Sequence, residues 1–213
     1  MNIGIFFKIR NRLSTSLQGL AYPFFFARFG ARSRILRPIR IDGSNRMEIG
    51  NGVFINNFAW IETIHTAPAL PRLAIQDGVY IGNSAHIIAT QSIEIGRDVL
   101  IADRVYIADY IHGYQDIKLP IKTQELVLRR PVEIGSGSWI GENVVILGAK
   151  IGRNCVIGAN AVVSSDIPDF CVAVGAPARV VRHWNPDSRQ WEKGAPTAQA
   201  GAPVGIASGF DHV

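Results

Sequence analysis

His112 and Asp109 stand three residues apart, in Asp109-Tyr110-Ile111-His112, where a regular pattern gives way to an irregular stretch. An imidazole titrates near neutrality, so it can take a proton from a reacting hydroxyl and release it afterwards. Asp109 lies close enough in sequence to orient that ring, and reads equally well as a solvated corner residue. His65 and His86 precede this pair. Three convergent histidines with one open position would suit a catalytic metal ion, but His86 reads as a surface or stacking residue before it reads as a ligand. The two cysteines, Cys155 and Cys171, imply no disulfide framework, and no C-x-x-C spacing accompanies them. Cys155 falls at an inward position of the repeat described next and reads as a small core residue.

The elements that must position these groups follow a period of six. From Ile134 the chain runs IGSGSW, IGENVV, ILGAK, IGRNCV, IGANAV, with one unit a residue short. Neither an amphipathic helix nor a plain alternating strand has that period. Ile75, Ile81 and Ile87 share it, as do Ile95, Ile101 and Ile107 after a two-residue slip at Ile93-Glu94. A weaker copy lies at Ile49, Ile55 and Ile61. The fifth position of each unit is small or β-branched, as at Val79, Ala85, Val99, Val105, Val144 and Ala161. Two apolar positions per unit, four apart, predict one interior, and three units predict one closed coil of a parallel β-helix. Glycine after the key aliphatic residue, as at Gly82, Gly135 and Gly141, suits a sharp corner or a positive φ.

Four segments follow. Residues 1–34 are expected to form a helical and aromatic cap, in which Tyr22, Phe24, Phe25, Phe26 and Phe29 plug the open first coil or face lipid. Residues 35–177 are the β-helix, interrupted by a loop at 66–73 and a longer one at 113–131. Residues 178–193 hold a short strand and a short helix, and residues 194–213 a loose tail rich in Gly, Ala and Pro. A long loop inside a repeat of this regularity points to function.

Charge is uneven. Residues 1–46 carry nine basic side chains against Asp42 alone, a net +8 in a chain of net +5. Nucleic acid is disfavoured as a partner because the repeat shows no basic-aromatic groove; an anionic membrane surface fits the basic amino end. Lys8 and Arg10 break the first apolar run, and the uncharged stretch 13–27 is shorter than a spanning helix needs. These features lead us to expect a cytoplasmic protein that can lie at the inner face of a membrane.

Three blocks, DVLIADRVYIADYIHGYQD, RPVEIGSGSWIGENVVIL and VIGANAVVSSDIPDFCVAVGAPARVVR, occur in that order around one loop. In this the chain resembles the hexapeptide-repeat acyltransferases, most closely the O-acetyltransferases of bacterial surface polysaccharides and the maltose, galactoside and xenobiotic acetyltransferases. The resemblance implies a left-handed β-helix, a homotrimer with sites between subunits, acetyl-CoA as co-substrate, no metal, and a sugar or glycan acceptor. It implies His112 as general base, with Asp109 orienting it or touching the sugar. Asn83, His86, Tyr114, Asp116 and Trp139 become candidate acceptor-binding residues. Trp139, Gly141, Ala159, Ser164 and Ser165 match positions along the pantetheine and nucleotide path, and Arg179 and Arg182 would meet the phosphates. Rival readings are an amino-sugar N-acetyltransferase, a metal lyase of the γ-carbonic anhydrase kind using His65, His86 and His112, and a scaffold without catalysis.

Overall fold

The computed structural model describes residues 20–66 and 70–194. Three parallel sheets wrap one apolar core, and each turn of chain gives one short strand to each. The first face stacks Arg28–Phe29, Met47–Ile49, Arg72–Ile75, Ser92–Ile95, Val132–Ile134 and Lys150–Ile151. The second stacks Arg34–Ile35, Phe54–Ile55, Tyr80–Ile81, Leu100–Ile101, Trp139–Ile140 and Val156–Ile157, then Cys171–Val174. The third stacks Arg40–Asp42, Trp60–Thr63, His86–Ala89, Tyr106–Ala108, Val145–Leu147 and Val162–Val163. Six coils result, numbered here from the amino end.

The six-residue period becomes the interior. Ile81, Ile87, Ile101, Ile107, Ile140, Ile146, Ile157 and Val163 are each 0% exposed, and Val79, Val99, Val105, Val144 and Ala161 at most 1%. First-face strands send two residues inward instead of one, as with Leu73 and Ile75 or Ile93 and Ile95. That is the source of the slip at Ile93.

The glycines after the key aliphatic residues serve close approach, not positive φ. A Cβ on Gly135 would lie 2.4 Å from the Arg153 nitrogen, and one on Gly141 2.7 Å from the Ala159 nitrogen, both in the next coil. The left-handed backbone falls two positions later, at Gly137 and Asn143. Coil stacking near the strand spacing of about 4.8 Å leaves no room for a side chain at such a corner.

Segment boundaries shift. The β-helix begins at Arg28, not at residue 35, because Arg28–Phe29 and Arg34–Ile35 pair in register with Met47–Ile49 and Phe54–Ile55 of the second coil. Residues 178–193 form no helix; Arg179–Asn185 and Gln190–Lys193 are antiparallel strands that extend the second sheet. The helix expected before residue 20 and the tail after 194 lie outside the described residues. The aromatic cluster divides: Phe26 is 7% exposed and joins the core with Tyr22 and Phe29 against it, whereas Phe24 and Phe25 are exposed.

Candidate active site

His112 ends the strand Tyr110–His112, which pairs antiparallel with Leu126–Leu128. The long loop is therefore a hairpin rising from the edge between the third and first faces at coil four. Gly113 makes its narrow base possible: its N–H donates to the Glu125 carbonyl at 3.0 Å, and an added Cβ would sit 2.6 Å from that oxygen. The His112 side chain is exposed, with its ring 6.1 Å from that of Tyr110 in an edge-on arrangement. Tyr110 belongs to a small second core with Ile88 and Ala108, against which Tyr106, Leu126 and Leu147 pack. The base of the hairpin is thus held by apolar packing.

Asp109 is not a solvated corner, and it does not orient the imidazole. It is 0% exposed. Its carboxylate accepts from the backbone N–H of Thr90, Gln91 and Ser92 at 2.7, 2.7 and 2.8 Å, and from the Thr90 hydroxyl at 2.7 Å. Four donors saturate a buried carboxylate. The Asp109 carbonyl accepts from the Arg129 N–H at 2.7 Å, and the Gln91 side chain donates to the Arg129 carbonyl. One residue therefore ties the widened corner at 90–92 to both limbs of the hairpin.

The shortened unit is the other half of this device. Gly148 has φ +55°, and a Cβ there would lie 2.6 Å from Cβ of Arg129 and 3.0 Å from the Arg130 nitrogen. The missing residue gives the returning limb room to cross. Arg130 then pairs with Asp166 at 2.7 Å. The register survives: Ile134 pairs with Ile151, Trp139 with Val156 and Val145 with Val162.

Six of the other candidates fall on two edges. Ser164 and Ser165 follow the last third-face strand and share the edge of the hairpin. Asn83, Gly141, Ala159 and Arg179 lie along the edge between the second and third faces. Asn83 donates to Asp103, and its oxygen accepts from Asn57 at 3.3 Å, so it is one rung of a polar ladder between coils. Gly141 is buried, and the coil above requires its lack of a side chain. Ala159, Ser165, Arg179 and Arg182 are exposed, and Ser164 is partly so. The small exposed Ala159 and the Arg179 guanidinium, on one edge, suit a pantetheine arm ending in phosphates. Trp139 stands 50% exposed on the second face, continuing an outward row of Tyr80 and Leu100. Tyr114 is 50% exposed on the hairpin. Asp116 caps a turn there by accepting from the Lys118 N–H at 2.8 Å, while the Gln124 amide crosses the hairpin to its backbone.

His86 stacks on Trp60, with centroids 4.5 Å apart, and meets Tyr106 edge-on at 5.2 Å. Its Nε2 is buried with no hydrogen-bond partner among the described residues. Desolvation lowers its pKa, and the nearby Glu62 opposes that shift weakly. Burial likewise raises the Tyr106 and Tyr110 hydroxyls above the ordinary phenol value. Cys155 and Cys171 are buried thiols; burial pushes Cys171 up to about 11, which suits packing and not nucleophilic attack. Among the described residues, no group of three His, Cys, Asp or Glu side chains could hold one metal ion. The features that sequence reasoning missed, the Thr90–Ser92 corner and the crossing at Gly148, were visible only as irregularities in the period.

Residues 131–165 match the family described as bacterial transferase hexapeptide (six repeats). A probable acetyltransferase of Mycobacterium tuberculosis, Rv3034c, is 51% identical over 77 residues, covering 36% of this chain and 25% of that protein. The putative lipopolysaccharide biosynthesis O-acetyl transferase WbbJ of Escherichia coli is 44% identical over 63 residues, or 29% of this chain and 32% of WbbJ. The chain thus spans about a quarter to a third of the length of these curated relatives. The solved structure of an S84A mutant of AntD, an N-acyltransferase from Bacillus cereus, superposes with a TM-score of 0.65 at 18% identity, covering 80% of this chain and 91% of that one. The repeat over residues 131–165 is thus like that of the hexapeptide transferases, and the fold is a left-handed parallel β-helix.

Proposed function

We propose that the protein is an acetyl-CoA-dependent O-acetyltransferase, acting on a sugar hydroxyl of a surface polysaccharide or its precursor. The observation that carries this is the exposed His112 imidazole at the base of the hairpin, with Asp109, three residues before it, committed to structure. The stretch shared with WbbJ supports the acceptor class. Acetyl-CoA supplies an acyl group activated as a thioester, so no covalent enzyme intermediate is required. His112 removes the proton from the acceptor hydroxyl as its oxygen bonds to the acyl carbon, and that proton is available to the departing thiolate. Backbone N–H groups are the donors suited to the developing oxyanion. Arg179 and Arg182 hold phosphate charge, and the exposed ring of Trp139 offers an apolar wall.

The reading includes a homotrimer. His112 rises from one edge of the prism, while Ala159 and Arg179 lie on another, with the third face between them. A threefold ring brings unlike edges of adjacent copies together and completes the site. The test is transfer of radiolabelled acetyl from acetyl-CoA to a panel of sugars and lipid-linked glycan precursors, with amino sugars as controls. Ester formation that is lost in His112→Ala supports the proposal. Transfer confined to amines, or transfer unaffected by that substitution, defeats it.

A further inference from the structure

We infer that the amino-terminal end of the prism is a docking surface for an anionic lipid bilayer. The segment over the first coil has two sides. Inward, the rings of Tyr22, Phe26 and Phe29 pack with centroids 5.1–5.3 Å apart and close the core. Outward, Leu20, Phe24 and Phe25 are 72, 86 and 64% exposed. Two adjacent phenyl rings left in water beside a leucine are a patch, not scattered apolar residues. The plug needs Phe26 and Phe29 but does not account for Phe24 and Phe25.

Arginines follow that apolar tip on two sides of the first coil. Arg28, on the first face, Arg32, at the corner, and Arg34, on the second face, are all exposed. Among the described residues, Arg32 and Arg34 make no ion pair, whereas on the third face Arg40 is answered by Asp42 and Glu62. Positive charge therefore flanks the tip on two sides of the first coil. An apolar tip flanked by guanidinium groups matches a bilayer, whose acyl boundary takes aromatic rings while anionic headgroups take the arginines. Single-stranded nucleic acid needs a continuous basic track with rings along it, and these arginines are confined to one coil beside an apolar tip. No helix among the described residues is long and apolar enough to cross a membrane. With this end on the surface, the hairpin of coil four stands roughly 15 Å above it at the coil spacing. That distance suits an acceptor sugar carried on a lipid. The docking surface itself does not depend on the acyltransferase reading.

The experiment is co-sedimentation of the full chain with vesicles of phosphatidylethanolamine and phosphatidylglycerol, against vesicles of phosphatidylcholine alone. Expected is partitioning to the anionic vesicles only, weakened about 25-fold in Arg32→Gln/Arg34→Gln at roughly fivefold per cation. Phe24→Ser/Phe25→Ser should weaken it about tenfold or more. Both pairs are exposed, so circular dichroism and Tm should match the parent; if the phenylalanine pair alters them, the arginine pair decides. Equal binding to neutral vesicles, unchanged binding in the variants, or displacement of the protein from vesicles by a single-stranded oligonucleotide would overturn the inference.

Discussion

His112 and Asp109 look like a catalytic pair in sequence, and they divide the labour differently in space. His112→Ala should lower kcat by roughly 10²–10⁴, the usual worth of a general base, with the Tm unchanged because the side chain is exposed. Asp109→Ala should do the opposite in kind. It leaves three backbone N–H groups of a buried corner without acceptors, and a cost of about 3 kcal/mol or more in denaturant unfolding is expected. An Asp109→Ala enzyme with full stability and a lost kcat would reverse this assignment. His86 makes a separate prediction. Burial lowers its folded-state pKa below the unfolded value near 6.5, so folding favours the neutral ring. Its contribution to stability is present above the unfolded pKa and is lost as pH falls through the folded one. Thermal scans from pH 7 to 5 should therefore show a steeper decline for the parent than for His86→Phe, which keeps the stack on Trp60.

At the scale of the element, the hairpin is the unit to perturb. A valine at Gly148 would combine a φ of +55° with a Cβ 2.6 Å from Arg129, where the limb crosses the shortened unit. Gly148→Val should cost about 2–3 kcal/mol, and hydrogen exchange should rise first in 109–131 and only later in the coils. The two irregularities of the period were readable from residue types alone: the extra pair near Ile93 and the missing residue in Ile146–Lys150. Their meaning was not. Both lie at the foot of one hairpin, and only the stacking of coils places Thr90–Ser92 beside Asp109 and Gly148 beside Arg129. Similarly, the strand Gln190–Lys193 could not be told from a short helix, because its residues pair across a turn instead of following the repeat.

The whole molecule should act as an assembly. If each site joins His112 of one copy to the arginines of another, inactive His112→Ala and Arg179→Ala/Arg182→Ala chains should complement when unfolded together and reassembled. Random mixing predicts recovery of about a quarter of the parent activity, because one contact in four pairs two intact edges. No recovery in a mixed population that sedimentation shows to be trimeric would place the whole site in one subunit. The sequence by itself determined the prism. A six-residue period in Ile and Val buries every repeat once three units close a coil, and each expected inward position is buried. What only the tertiary structure decided is which polar residues remain free to act. Asp109, Asn83 and Gly141 read as site candidates in sequence, yet the adjacent coil claims each of them. Those claims arise between residues about 20 positions apart, brought together by strand stacking, and no local pattern of residue types records them.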